Sequence, residues 1–212
     1  MPSSLVGEAR SAGTIFDVMM GALMKTSRSV SLLVGVGGLV TAYVLTVRGA
    51  LTLDLNLGRR TRPLGPIQLD VQAEPETVFD VIAQPYLGKT SRAMEKKLEV
   101  LERGTDMVIA AHFTPVAGGL TATTVESVRF ERPHVVAFSL LRGPVPYVRE
   151  TFTLSAIEAG TRFTYAGELG ADLWALGRWW GSMVAAPWER TVQASMQSIK
   201  VEAERIARVQ RR

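Results

Sequence analysis

Three ionisable residues stand where an apolar pattern should carry only hydrocarbon. Within residues 147–157, alternation puts Val148, Glu150, Phe152 and Leu154 on one face and Arg149, Thr151, Thr153 and Ser155 on the other. The apolar set must face inward, and it takes Glu150 with it. By the same parity Val128 and Phe130 carry Glu126 inward, and Val136, Phe138 and Leu140 carry Arg142. If Phe130 faces Val136, Glu126 faces Leu140. If Arg142 pairs with Val148, Leu140 also faces Glu150, and Arg142 is a diagonal neighbour of both carboxylates. A buried carboxylate must pair or take up a proton. Glu126, Arg142 and Glu150 are therefore expected to form an inward polar cluster that orients the polar part of a ligand or supplies an acid. The plain alternative is a structural ion pair near the mouth of the cavity, or a bulge that throws one glutamate into solvent.

Other chemistry is scarce. The 212 residues hold no cysteine, which excludes disulfides, thiolate catalysis and cysteine metal sites. The histidines are His112 and His134, too few for a histidine-rich metal centre, and no metal or cofactor is expected. In residues 107–113 the apolar face is read as Met107, Ile109 and Phe113, so His112 is expected to point outward. Trp174, Trp179, Trp180 and Trp188 cluster near the start of the last helix. With Phe130, Phe138, Phe152, Tyr147 and Tyr165 they either wall a ligand site, in which Trp180 and Trp188 take part, or are plain core.

The elements that position these residues follow from the pattern. Ile67, Leu69 and Val71 alternate with polar residues and read as a strand. Pro75 opens a helix whose apolar face is Val78, Phe79 and Ile82, with Pro85 ending it. Six strands follow, at 96–102, 107–113, 120–130, 135–142, 147–157 and 161–169, joined by Gly- and Pro-containing turns short enough to make them antiparallel. Asp172 then caps a long helix to about residue 208, with Val192, Met196, Ile199, Ala203 and Ile206 on its apolar face and Pro187 as a kink or break.

This order, with ETVFDVIAQPYLG at 76–88, VRFERPHVVAFSLLRGP at 128–144 and TRFTYAGEL at 161–169, resembles the SRPBCC or START-like superfamily, which includes polyketide cyclases and aromatase-type proteins. The likeness covers Pro66 to the C-terminus. It implies an α+β helix-grip fold: an antiparallel sheet wrapped around a long C-terminal helix, with room for a lipid, polyketide, hormone or quinone.

Ahead of that domain (66–212) the sequence reads as a tail (1–28), an uncharged run Ser29–Val47 and a linker (48–65). Nineteen residues at about 1.5 Å each span about 28 Å, close to a bilayer's hydrocarbon core, so a single transmembrane helix is expected. Arg48, Arg59, Arg60 and Arg62 outnumber Lys25 and Arg28, which puts the domain on the cytoplasmic side, where these arginines meet anionic headgroups or form an ordinary solvated linker. Small residues at Ser31/Gly35 and Gly38/Ala42 offer a face for a homodimer through the membrane helix. Leu51, Leu53, Leu55 and Leu57 alternate like a strand. The formal net charge of +4 comes with no nucleic-acid-binding motif.

Three functions remain open at this point: a membrane-tethered module binding a small hydrophobic molecule, an enzyme of the cyclase or dehydratase kind, or a scaffold using the fold as a surface.

Overall fold

The computed structural model describes residues 37–88 and 96–211. The chain divides into two compact units, residues 1–43 and 44–212. In the first, the described residues 37–43 are helical, and residues 44–47 of the second are helical too. Among the described residues no helix is long and apolar enough to cross a membrane. Residues 29–36 of the uncharged run lie outside the described residues, so the expected spanning helix is not shown. The Ser31/Gly35 pair also falls outside them.

The second unit is built on one sheet. Its strands are β1 (Arg60–Val71), β2 (Leu98–Arg103), β3 (Met107–Pro115), β4 (Thr121–Glu131), β5 (Val135–Arg142), β6 (Tyr147–Ile157) and β7 (Gly160–Ala171). Their order is β1-β7-β6-β5-β4-β3-β2, and every pairing is antiparallel. Two helices complete it, α1 (Pro75–Leu87) and α2 (Trp174–Gln210). The last helix packs against β1, β7 and α1, so the sheet and both helices share one core. This is the helix-grip arrangement expected from the strand run and the long final helix.

Strand β1 starts at Arg60, well before the alternation that begins at Ile67, because Leu64 is buried and residues 60–64 pair with the far end of β7. The register shifts between Leu64 and Ile67, and this irregularity hides the period of two upstream. Helix α1 runs two residues past Pro85. Its last turn stays closed by the Gly88 N–H donating to the Gln84 carbonyl, which puts Tyr86 on the same buried face as Phe79 and Ile82.

Helix α2 is one 37-residue element, and Pro187 lies inside it without ending it. Its inward side begins with Gly177, Gly181 and Ala185 and continues with Val192, Met196, Ala203 and Ala207. The small residues let the helix approach β7 closely: a methyl group on Gly181 would sit 3.2 Å from Leu169.

Asp172 does not cap α2. Leu173, in a left-handed conformation, occupies the cap position with no side-chain hydrogen bond. The buried Asp172 carboxylate instead reaches back to residues 48–59, here called the strap. It accepts from the backbone N–H groups of Leu55 (2.7 Å) and Asn56 (2.8 Å) and from Arg59 Nε (2.7 Å). The guanidinium holds this carboxyl below its ordinary value. The leucine alternation in the strap is therefore not a strand; 51–56 have no regular structure. Thr52 ties the strap to the β5–β6 turn, its hydroxyl donating to the Gly143 carbonyl (2.8 Å) and accepting from the Gly143 N–H (3.1 Å). At the far end Leu173 and Trp174 donate backbone N–H bonds to the carbonyls of Leu57 and Gly58. Gly58 has φ +61°, and a Cβ there would stand 2.4 Å from the Trp174 ring, so only glycine fits this seat.

Candidate functional site

Strand parity delivers two carboxylates to the interior. Thr124, Glu126 and Val128 follow one another on the inner face of β4, and all three are buried. The pairings Phe130↔Val136 and Glu126↔Leu140 are those of the register considered from the sequence. Glu150 lies on the inner face of β6, but its partner is Phe138 and not Leu140. The link at 143–146 shifts the register by two residues, which keeps the face and moves the position.

Arg142 departs from the expected trio. Between the pairs Val125↔Arg142 and Glu126↔Leu140, strand β5 carries one extra residue, Leu141. That bulge reverses the parity beyond it. Arg142 is opposite Val125 on the outer face and is exposed. The interior keeps the two acids and loses the base.

His112 corrects the expectation in the other direction. The inner face of β3 is Val108, Ala110 and His112, because Ala110 is a small residue that leaves little mark on the alternation. His112 pairs with Thr124 and is a diagonal neighbour of Glu126. Its Nε2 lies 2.9 Å from the Tyr86 hydroxyl. Its Nδ1 lies 3.3 Å from Glu126 Oε2 but off hydrogen-bond alignment, and among the described residues it is a buried side-chain nitrogen that makes no hydrogen bond. The Glu126 carboxylate accepts from the Thr124 hydroxyl at 2.8 Å.

Glu150 has its own cradle. Its Oε2 accepts from the Tyr165 hydroxyl and from Trp188 Nε1 of α2, each at 2.8 Å. Opposite it on β7 stands Gly167, where a Cβ would come 2.8 Å from the Glu150 Cβ. The absent side chain leaves the space that the glutamate takes.

A layer of rings separates and surrounds these groups. Tyr86 meets Phe130 at 5.8 Å and Phe138 at 6.2 Å between centroids. Phe138 meets Phe152 at 5.3 Å, and Phe152 meets Tyr165 at 5.9 Å. Of the residues anticipated for ligand contact, Glu126, Phe138, Glu150, Phe152 and Tyr165 are buried together here, with Phe130 and Trp188 partly buried at its margin. Trp180 also packs partly buried against this core, with its indole N–H donating to the Pro144 carbonyl of the β5–β6 turn. Tyr86, His112 and Thr124 are additions. Tyr86 was reachable from the sequence, since it continues the helical spacing of Phe79 and Ile82.

Burial sets the protonation chemistry. It pushes both carboxyls above the ordinary glutamate range, and Glu126 raises Glu150 further by like-charge repulsion. Thr124 pulls weakly against this at Glu126, as do Trp188 and Tyr165 at Glu150. Among the described residues no lysine or arginine reaches either carboxyl. Burial lowers His112 to about 4, so the ring is neutral at neutral pH. The site thus presents two carboxyls held near their protonation boundary, a neutral imidazole and two phenols in an aromatic shell. Among the described residues no group of acidic, histidine or cysteine side chains could hold a metal.

Residues 67–204 match the family described as polyketide cyclase / dehydrase and lipid transport, and the chain belongs to it. The SRPBCC and START-like likeness drawn from the sequence is confirmed at the level of fold. Among solved structures, the Zhui aromatase/cyclase from Streptomyces sp. R1128 superposes with a TM-score of 0.53 at 18% identity, covering 69% of this chain and 94% of that one. The di-domain ARO/CYC BexL of the BE-7585A biosynthetic pathway gives 0.50 at 15% identity, over 71% of this chain. This chain spans 50% of the length of BexL. No curated protein matches.

Proposed function

We propose that the domain binds a small hydrophobic molecule (a lipid, quinone, terpenoid or polyketide-like compound) between the sheet and α2, with the polar end of that molecule set against Glu126 and Glu150. One observation carries this: two carboxyls sit in an aromatic interior with no described cation to neutralise them. A core selected only for stability would replace such a pair with hydrocarbon. Protonated, each carboxyl donates to a ligand carbonyl or hydroxyl; ionised, each accepts from a hydroxyl. The family description, which includes lipid transport, supports the same class of cargo. The uncharged run Ser29–Val47 supports a tether that keeps the domain at a bilayer, and the arginine excess after it supports a cytoplasmic domain.

The experiment is native mass spectrometry of the detergent-extracted full chain, followed by organic extraction. One apolar species should co-purify with the native protein and fall sharply in Glu126→Gln and Glu150→Gln. A protein that is empty in every preparation overturns the proposal.

A second reading rests on His112. A neutral imidazole between Tyr86 and Glu126 has a ring nitrogen that makes no hydrogen bond among the described residues and that a substrate can engage; lowered to about 4 it is a weak base, so it would act beside the proton-holding Glu126 in the cyclase or dehydratase chemistry of the family description. Turnover of a recovered ligand that disappears in His112→Gln, with ligand still bound, would select it.

A further inference from the structure

The end of the domain where the strap meets α2 is apolar on its outside. Trp174 is 52% exposed, Leu176 59%, Trp179 58% and Met183 48%. Leu176, Trp179 and Met183 are spaced by three and four, so they form one stripe, on the side of α2 turned away from its buried face of Gly177, Gly181 and Ala185. From the strap, Leu55 is 56% exposed and Leu57 50%. These pieces belong to one end of the fold. Leu57 and Gly58 hold the backbone of residues 173 and 174, Thr52 holds Gly143, and Trp180 bridges from Pro144 to Trp179, whose ring it meets at 6.5 Å. Exposed aromatic and leucine side chains at this density mark a contact surface, and half-exposed tryptophan suits a layer that is apolar on one side and wet on the other.

The charges around it select the partner. Arg48, Arg60, Arg142 and Arg178 are exposed at this end, and no ion pair among the described residues engages them. Asp54 and Asp172 are both taken up by Arg59. A second copy of the chain on this face would set arginine against arginine. An anionic lipid surface offers headgroup phosphates to the arginines and an acyl boundary to the rings. The strap also begins immediately after the uncharged run that ends at Val47.

We propose that this end of the domain, centred on Trp179 and Leu176 with the exposed strap leucines, docks in the headgroup layer of an anionic bilayer. The proposal rests on the tether only for its location: docking specifies how the domain faces the bilayer, which a tether alone leaves free.

The full chain is reconstituted into phosphatidylcholine vesicles containing phosphatidylglycerol and lipids brominated near the top of the acyl chain. Bromine should quench the native tryptophan emission, and Trp179→Phe should reduce the quenched fraction by about twofold. Leu176→Ser/Trp179→Ser, whose side chains are exposed and whose melting should not change, should reduce it as much. Equal quenching in native and substituted proteins overturns docking, as does protection of Trp179 by cross-linked dimers without quenching. Alkaline carbonate reads the tether separately. Protein that resists extraction while Trp179 is unquenched keeps the tether and loses the docking face; protein that is extracted but quenched beforehand does the reverse.

Discussion

The hydroxyl of Tyr86 lies 2.9 Å from Nε2 of His112, so α1 and β3 meet through a polar contact inside an aromatic interface. Tyr86→Phe removes it and leaves both ring nitrogens of His112 without a hydrogen bond. The expected loss is about 1–3 kcal/mol, read from urea denaturation midpoints. Tyr86→Phe/His112→Phe should recover part of that loss, because no orphaned nitrogen remains.

Stability should depend on pH in two opposed ways. The folded Glu126 and Glu150 hold protons more tightly than the unfolded chain does. Their contribution is complete below the ordinary glutamate value of 4.5 and is lost as pH rises above it through the raised folded values. His112 acts the other way: folded at about 4 against 6.5, it contributes stability above 6.5 that is lost as pH falls toward 4. Between 4.5 and 6.5 these slopes offset each other, and beyond 6.5 only the carboxyl slope remains. Denaturation midpoints should therefore decline with pH above 6.5 in the native protein. Glu126→Gln/Glu150→Gln should remove the decline, and a native profile that rises there would refute the assignment.

Tyr165 and Trp188 donate to the same oxygen of Glu150, from the sheet and from the helix that grips it. Tyr165→Phe and Trp188→Phe should each cost about 1–3 kcal/mol. Their double-mutant cycle should be non-additive by more than about 0.5 kcal/mol, since either donor alone still serves the carboxyl.

Much of this arrangement was legible in the sequence. The inward placement of Glu126 and Glu150 follows from side-chain alternation alone; the pairs Phe130↔Val136 and Glu126↔Leu140 followed only on an assumed register, which is the one observed. What was not legible is local irregularity. The extra Leu141 that turns Arg142 outward has no signature in composition or period. The inward side of β3 was hidden because Ala110 and His112 compete with the larger Ile109 and Phe113. The use of Asp172 was hidden because a helix cap and a strap clasp demand the same residue type, and only the conformation of Leu173 separates them.

The strap should be held by its clasp. Asp172→Ala leaves Arg59 Nε and two backbone N–H groups without their acceptor, while Arg59 keeps Asp54, and should lower stability by about 2–4 kcal/mol. Gly58→Ala, by contrast, should displace Trp174 without touching any charge. Both should speed proteolytic cleavage within residues 50–59. Only Gly58→Ala should also change the Trp174 emission while Arg59 and Asp172 remain able to pair.

The complete absence of cysteine makes the orientation of the domain directly measurable. Ser155→Cys puts one thiol on an exposed strand position. A membrane-impermeant maleimide should label it in whole cells only after the membrane is opened; labelling of intact cells would put the domain outside.

The bulge at Leu141 makes the interior's charge depend on strand register and not on residue identities alone. Flattening the bulge, so that Leu141 pairs with Val125 and Arg142 with Thr124, would swing Arg142 to the side of Glu126 and turn an acid-only lining into a balanced one without replacing any side chain within it; deleting Leu141 would not, because the arginine would then follow Leu140 directly and stay opposite Val125. Loops and bulges in this fold are thus a route by which cargo preference can drift between relatives whose inward residues read the same.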